Sequence, residues 1–243
     1  MNTNKILNSF GVRESLNTEI WDLSGDIKLR DNIRESLLKI ANEFITFIDS
    51  SVFIHDITMT GSLANYNWSD YSDIDLHLIY NSNDIDLDKN ELYSKIFNLK
   101  KTLFNSQHDI TIKDYEVELY MQDLNEVHMS TGVYSILYDT WINEPKKETV
   151  EIDKSSIEKK SNKWMDMIDT LTDDISDDEL EIKLEKIDKL KDKLKKYRTC
   201  GLENGGEYSD ENIVFKVLRR NGYIQKLFDL KINSIDKSLT VNQ

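Results

Sequence analysis

Two carboxylates, two residues apart, are the most chemically informative feature of the sequence. Asp73 and Asp75 alternate with the apolar residues Ile74 and Leu76. Because alternate side chains of a β-strand point to the same side, we expect both carboxylates on one face of a strand. Two close negative charges repel each other unless a cation lies between them. The pair therefore predicts a Mg²⁺ or Mn²⁺ site, since such ions bind one or two protein carboxylates and complete their shell with phosphate oxygens and water.

A Gly-Ser pair precedes this predicted strand, with residues 63–72 between them. Gly61 has no Cβ and would let the backbone approach a triphosphate, while Ser62 adds a hydroxyl and an N–H group. The pair alone carries little information. At this distance from a strand-borne Asp-x-Asp, it predicts a phosphate cradle that meets the metal ligands at one end of neighbouring strands.

Residues 33–122 thus resemble the nucleotidyltransferase superfamily that includes DNA polymerase beta. The family pattern is Gly-Ser or Gly-Gly, a short spacer, and then Asp-x-Asp between apolar residues. The resemblance implies a third carboxylate on a later strand, for which Glu116 and Glu118 are the candidates. We choose Glu118, because Val117-Glu118-Leu119 reproduces the apolar-acid-apolar context of the family, in which Asp is the commoner acid at this place.

Other segments are similar to a group of uncharacterised, phage-type predicted nucleotidyltransferases. They are Ile20-Trp21-Asp22, GSLANYNWSDYSDIDLH, VELYMQD and the stretch from STGVYS to WINEP. The two resemblances imply a mixed α/β or α+β fold, in which a small twisted mixed sheet with helices, the nucleotidyltransferase fold, is followed by a helical C-terminal domain. They imply no particular acceptor.

Hydrophobic periodicity predicts the elements that must position these residues. Apolar residues recur at helical spacing over 31–49, with Asp31 as N-cap, and over 87–104, while 52–59, 73–80, 110–112 and 115–121 have strand character. Residues 132–142 fit either another strand or a short helix. The order is helix, strand, strand, helix, strand, strand.

A change of composition after residue 150 predicts a second domain. We assign 1–150 to a nucleotidyltransferase domain and 151–243 to a helical domain, with Pro145 in the linker and the active site in the cleft between them. Helical stripes cover 157–171 and 180–197, and the acidic stretch 173–179 is expected to be a turn. Gly201, Gly205 and Gly206 are expected to end that helix before a last one that starts near Ser209.

Charge and cysteine content limit the partners of the protein and the compartment in which we expect it. The chain has 31 Lys and Arg against 45 Asp and Glu, a net charge of −14, which opposes unguided binding to a nucleic-acid backbone. The single cysteine, Cys200, excludes an internal disulfide framework and favours a reducing compartment. Since no run of apolar residues is long enough for a signal or a membrane span, we expect a cytoplasmic protein with no membrane partner.

Some residues allow both a functional and a structural interpretation. Asn65, Asn67, Trp68 and Tyr71 could hold a base or ribose, or could form an ordinary loop. His77 shares the face of the two aspartates and could contact substrate or be structural. Lys216, Arg219 and Arg220 form a local basic cluster at helical spacing, which could bind phosphate or RNA or be a surface patch.

The function that the resemblance implies is transfer of a nucleoside monophosphate from an NTP to an acceptor hydroxyl, with release of pyrophosphate. Asp73 and Asp75 would bind the metal ions, Glu118 would hold the second of them, and Gly61 and Ser62 would bind the phosphates. The acceptor could be a small molecule, a tRNA end or a protein. The alternative is a non-catalytic nucleotide-binding or antitoxin-like regulatory module, which Glu in place of Asp permits.

Overall fold

A computed structural model describes residues 3–49, 51–85, 89–126, 130–147, 150–173 and 180–240. The chain divides into two compact units. The sheet unit is Val12–Thr149, and the helical unit combines Met1–Gly11 with Val150–Gln243. The division near residue 150 coincides with the boundary expected from the sequence, but the first eleven residues belong to the helical unit and not to the sheet unit.

Helices and strands are interspersed along the chain as far as β8, and only helices follow among the residues described. They are α1 (Thr3–Ser9), β1 (Trp21–Asp22), β2 (Lys28–Leu29), α2 (Asp31–Ile48), β3 (Ile54–Thr60), β4 (Ile74–Tyr80), α3 (Asn90–Gln107), β5 (Thr111–Ile112), β6 (Tyr115–Asp123), β7 (Val133–Ser135), β8 (Thr140–Asn143), α4 (Lys154–Asp173), α5 (Leu180–Gly205), α6 (Asp210–Arg220) and α7 (Tyr223–Leu239). No helix of the described ranges is long and apolar enough to cross a membrane.

The sheet unit is built on a mixed six-stranded sheet in the order β5-β6-β4-β3-β7-β8. Strand β4 pairs antiparallel with β3 and parallel with β6. A parallel pair needs a long crossover, which here contains α3 and β5. The segment that fitted either a strand or a short helix forms the β7–β8 hairpin, and β7 extends the sheet beyond β3. The α+β class with a mixed sheet agrees with the sequence expectation.

Helix α2 forms because apolar residues recur along one face. Five of them are buried: Ile33, Leu37, Ala41, Phe44 and Ile48. They join one core cluster with the buried side of the sheet, which includes Met59, Leu76 and Leu119. The N-cap is Arg30 and not Asp31 as predicted, since Asp31 is the first helical residue. Its negative charge still favours the helix start, where the backbone N–H groups point outward.

The helical unit differs from the sequence expectation at two glycines. Gly201 was expected to break a helix but lies inside α5, where a Cβ would approach the Cβ of Glu211 to 2.4 Å. It therefore allows α5 and α6 to pack closely. The expected last helix is divided in two, because Gly222 adopts a positive φ of 78° between α6 and α7. Residues 174–179, most of the predicted acidic turn, lie outside the described residues.

The first eleven residues join the helical unit through helix α1. Ile6 and Leu7 are buried, and α1 contacts α4 and α6. Its apolar side chains thus have their partners at the far end of the chain. A short segment of this kind cannot bury its apolar face alone, and its partners are not visible in local periodicity.

One side chain completes the hydrogen bonding of strand β6. Beyond its short pairing with β5, the Leu119 N–H donates to Asn105 Oδ1 at 3.2 Å, and Asn105 Nδ2 donates to the Leu119 carbonyl at 3.1 Å. Asn105 on α3 therefore replaces a neighbouring strand. Because Leu119 lies between Glu118 and Tyr120, this contact fixes the segment that carries both side chains.

We expect Asn105→Leu to lower the free energy of unfolding by about 1–3 kcal/mol, because it leaves a backbone N–H and C=O without partners. Urea unfolding measures the change. Asn98→Leu on the exposed side of the same helix is the matched control and should change stability by less than about 0.5 kcal/mol. Equal effects of the two substitutions would contradict the role of Asn105.

Candidate active site

Three adjacent strands bring two of the predicted site residues, Asp75 and Glu118, together on one face of the sheet. Asp75 lies opposite Thr60 of β3 on one side and opposite Glu118 of β6 on the other. Neighbouring strands are about 5 Å apart, so the two carboxylates start from adjacent backbone positions. Glu116 instead lies opposite Thr111 of β5 and is exposed. Of the two candidates for the third carboxylate, Glu118 is therefore the one placed directly beside Asp75.

Gly61 follows the last residue of β3 and makes room for Asp75. Its φ of 77° and ψ of −163° belong to a region that residues with a Cβ rarely adopt. A Cβ there would lie 1.8 Å from Asp75 Oδ2. The sequence suggested that the missing Cβ would admit a phosphate, whereas in the structure the space beside it holds the carboxylate of Asp75. Gly61 is therefore first of all a residue that positions a carboxylate.

Ser62 connects the turn after Gly61 to the segment before the first aspartate. Its hydroxyl donates to Ser72 Oγ at 2.8 Å, and the Ser69 N–H donates to the same oxygen at 2.9 Å. Ser72 is buried and immediately precedes Asp73. Ser72 was not predicted from the sequence, because nothing in its spacing distinguishes it from the other serines of this loop.

A buried tryptophan also fixes this turn through a hydrogen bond to its backbone. The Trp21 Nε1–H donates to the Leu63 carbonyl at 2.7 Å. The indole is fully buried, stacks on Trp141 with ring centres 4.6 Å apart, and meets the edge of Tyr134 at 5.1 Å. The segment Ile20-Trp21-Asp22 therefore has a structural role in holding the candidate site.

The loop residues that could have held a base are partly committed to packing. The Trp68 Nε1–H donates to the Ser15 carbonyl at 2.9 Å, and the Arg13 guanidinium lies 4.8 Å from the centre of the Trp68 ring. Arg13 Nε also donates to the Trp68 carbonyl at 3.0 Å. Trp68 thus attaches the loop to the start of the sheet unit, which favours the structural interpretation.

Tyr120 is a site residue that was not predicted from the sequence. Its hydroxyl donates to Glu118 Oε2. Its ring stacks on His77 with centres 4.8 Å apart, and Lys101 Nζ lies 4.5 Å from its ring centre. The available signal was its position two residues after Glu118, which on a strand puts both side chains on one face.

His77 supports this tyrosine from strand β4. Its Nε2 lies 3.2 Å from Thr60 Oγ1, and its Nδ1 lies 2.7 Å from Gln122 Oε1. Both ring nitrogens therefore have partners within the sheet. Of the two roles that the sequence allowed, the contacts favour the structural one.

Burial and three nearby carboxylates raise the pKa of the Tyr120 hydroxyl. Burial raises the pKa of the Tyr120 phenol, and the hydrogen bond to Glu118 and the negative charges of Asp75, Glu118 and Asp73 raise it further. Three carboxylates thus influence one hydroxyl, which stays protonated and remains a donor throughout the physiological pH range.

The donor set fits a divalent cation of the Mg²⁺ type. Within the part of the chain that the structure describes, no three His, Cys, Asp or Glu side chains are arranged to hold a metal together. Mg²⁺ does not require such a cage, because it is commonly bound by one or two carboxylates and by substrate phosphates. Asp73 and Asp75 supply that number of hard oxygen ligands. Among the described residues, Glu118 Oε1 accepts no hydrogen bond and is available to a cation.

The basic cluster belongs to the helical unit, where two of its members have internal partners. Lys216 Nζ lies 2.6 Å from Glu207 Oε2. Arg220 Nη1 donates to Ser9 Oγ at 2.8 Å, and the guanidinium lies 4.4 Å from the Phe10 ring centre. These contacts account for both residues through the packing of the helical unit itself.

No family model matches the chain, and neither a curated protein nor a solved structure shows significant similarity to it.

We expect Gly61→Ala to lower the free energy of unfolding by about 1–3 kcal/mol, because alanine is strained at this φ and its Cβ would displace the carboxylate of Asp75. Urea unfolding measures the loss. Gly25→Ala, where a Cβ would meet nothing within 4 Å, is the control and should be nearly neutral. If both variants were equally stable, Gly61 would not be needed to accommodate Asp75.

We expect Tyr120→Phe to destabilise the protein by about 1–2 kcal/mol at neutral pH, since Glu118 loses a hydrogen-bond donor. The pKa of Tyr120 is higher in the folded protein than in the unfolded chain, where a tyrosine titrates at about pH 10. The protonated Tyr120 hydroxyl therefore contributes fully to the free energy of unfolding below about pH 10, and this contribution decreases as the pH rises further.

Urea unfolding of both proteins between pH 7 and pH 11 tests this prediction. The difference in stability between wild type and Tyr120→Phe should be constant up to about pH 9 and shrink at higher pH. A difference that stayed constant to pH 11 would argue against the bond between Tyr120 and Glu118.

Proposed function

We propose that the sheet unit transfers a nucleoside monophosphate from an NTP to an acceptor hydroxyl, as a metal-dependent nucleotidyltransferase. The observation that carries the proposal is the pairing of three strands, which puts Asp75 between Gly61 at the end of β3 and Glu118 on β6. This is the order of glycine, aspartate pair and third acid in the superfamily that the sequence resembles. The mixed sheet supports the same assignment.

In this reaction the acceptor oxygen forms a bond to the α-phosphorus, and the bond from that phosphorus to the bridging oxygen of the β-phosphate breaks. The acceptor hydroxyl gives up its proton to solvent, and pyrophosphate leaves with the electron pair of the broken bond. A divalent ion supplies Lewis acidity at the phosphate oxygens when it is bound. Asp73 and Asp75 would hold it, with Glu118 as the carboxylate for a second ion.

The chain itself supplies the rigid placement of these carboxylates. Gly61 and the Thr60–Asp75 pairing fix one carboxylate, and the Tyr120 hydroxyl fixes Glu118. Such preorganisation matters for phosphoryl transfer, where positioning and electrostatic stabilisation supply most of the rate enhancement. The backbone N–H groups after Gly61 remain the candidates for phosphate contact.

A nucleotide-binding regulatory module on the same fold is the second candidate. The Tyr120 hydroxyl engages one oxygen of Glu118, and Glu occupies the place where Asp is commoner in the superfamily. A protein that bound NTP and metal without transferring the nucleotide would combine the same fold with an inactive third carboxylate.

The deciding experiment incubates the protein with each α-³²P-labelled NTP, Mg²⁺ or Mn²⁺, and a lysate of the source organism, and then fractionates the label into protein, RNA and small molecules. Metal and NTP should also raise the melting temperature, since they bind only the folded state. We expect Asp73→Asn and Asp75→Asn to lose both effects.

Glu118→Gln should retain the thermal shift but lose about 100-fold or more of the transfer rate, because it acts mainly on charge that develops in the transition state. Glu126→Gln, an exposed acid that follows the same strand, is the control and should retain both. Thermal shifts without label transfer would favour the regulatory module. An unchanged shift in both aspartate variants would overturn the site itself.

A further inference from the structure

Helix α3 exposes a row of large apolar residues beside the face that packs into the core. Its buried residues, Phe97 and Phe104, belong to the core cluster. Four other apolar residues of the helix are exposed by between 36 and 70%: Leu92, Ile96, Leu99 and Leu103. Among the residues that the structure describes, none of these four belongs to the core cluster or packs against it. We call the four residues the α3 stripe.

The α3 stripe is a continuous surface and not a set of scattered side chains. Residues three and four positions apart are neighbours on a helix, so the four side chains form one ridge along α3. Together they expose on the order of 400 Å² of apolar surface, a size at which patches on soluble proteins are often interaction sites. Burial of this area against a second surface would be favourable, because the hydrophobic effect grows with the apolar area removed from water.

The spacing of the α3 stripe is self-complementary. Its residues are separated by four, three and four positions, so the pattern is the same in both directions along the helix. These are also the spacings of the apolar seam in a coiled coil. With a two-fold axis between Ile96 and Leu99, Leu92 would lie opposite Leu103 of a second, antiparallel copy, and Ile96 opposite Leu99. Each apolar residue thus obtains an apolar partner, as a two-fold symmetric interface requires.

The charges of α3 favour contact at this place. The helix carries three lysines and one glutamate, whereas the whole chain has a net charge of −14. Lys95 Nζ lies 2.6 Å from Glu91 Oε1, and Lys100 Nζ donates to the last carbonyls of α2 at 2.7 and 3.1 Å. The two lysines beside the stripe are therefore compensated within the chain. A second copy that approaches α3 meets less repulsion than the net charge of the protein implies.

The antiparallel arrangement also keeps like charges apart. In such a helix pair, the residues that flank the seam face the equivalent flanking residues of the other helix. Lys95 would therefore face Thr102 of the second copy, and Lys100 would face Tyr93. No two lysines come together across the seam.

We propose that the α3 stripe is the contact surface of a homodimer, in which the α3 helices of two copies pack antiparallel. The proposal does not rest on the transferase chemistry. Two stripes bury about 800 Å² of apolar surface, and the flanking residues bring the total near the roughly 1,200 Å² at the lower end of specific interfaces. An interface of this size gives a weak, reversible dimer, with a Kd of about 1–100 µM.

Sedimentation equilibrium of the full chain between about 1 and 200 µM tests the proposal. The apparent mass should rise from 28.5 kDa towards twice that value. Leu99→Lys should raise the Kd at least about tenfold, because it puts a charge at the centre of the apolar seam. Ile232→Lys, at an exposed apolar position on α7, is the matched control and should change the Kd by less than about twofold. A wild-type chain that stays monomeric, or equal weakening by both variants, would overturn the proposal.

The salt dependence of the Kd separates apolar contact from attraction between charges. An increase from about 0.1 to 0.5 M NaCl should leave the Kd unchanged or lower it, because salt screens the repulsion between two acidic copies. A Kd that rises with salt would mean that ion pairs hold the dimer together and would overturn the α3 stripe as its contact surface.

Cysteine crosslinking tests the antiparallel orientation, in a Cys200→Ser background that removes the exposed natural thiol. A short bismaleimide should join Leu92→Cys chains to Leu103→Cys chains when the two are mixed. Leu92→Cys alone should give little crosslinked dimer, because eleven residues of helix separate its two thiols by about 16 Å. Equal crosslinking of Leu92→Cys with itself, or none in the mixture, would overturn the antiparallel pairing.

Discussion

Repulsion between carboxylates is the constraint on which the sheet unit depends. Parallel pairing of β4 with β6 puts Glu118 beside Asp75, and Asp73 immediately precedes the same strand. Such an arrangement is unfavourable unless donors or cations compensate the charge. The Tyr120 hydroxyl supplies one donor, and stacking on His77 holds its ring in place. Concentrated like charge of this kind is a recognised mark of functional sites, which is why the proposed chemistry is centred on it.

Hydrogen bonds from side chains to backbone groups hold this charged face of the sheet in place. The Trp21 indole holds the carbonyl of Leu63 in the turn beside Gly61, and the Asn105 amide holds both backbone groups of Leu119. Each contact replaces a regular secondary-structure partner at a place where the chain has none. Site residues carried by a strand that is fixed in this way keep their geometry better than residues on an unsupported loop.

The negative charge of this face determines which ligands it attracts. A net charge of −14 and the clustered carboxylates attract cations and repel phosphates. An NTP would therefore depend on a divalent ion at Asp73 and Asp75, which neutralises the repulsion between nucleotide and protein.

The sequence by itself predicted the elements from α2 to β6 and singled out Asp73 and Asp75. Alternation of Asp73 and Asp75 with apolar residues predicted β4 to within one residue, because period-two burial is a local property. Which glutamate lies beside Asp75, and that Tyr120 stacks on His77, depended on the register of two strands joined by a long crossover. Only the tertiary structure decided these points, as it decided that Gly201 lies within a helix, because they depend on partners distant in the chain.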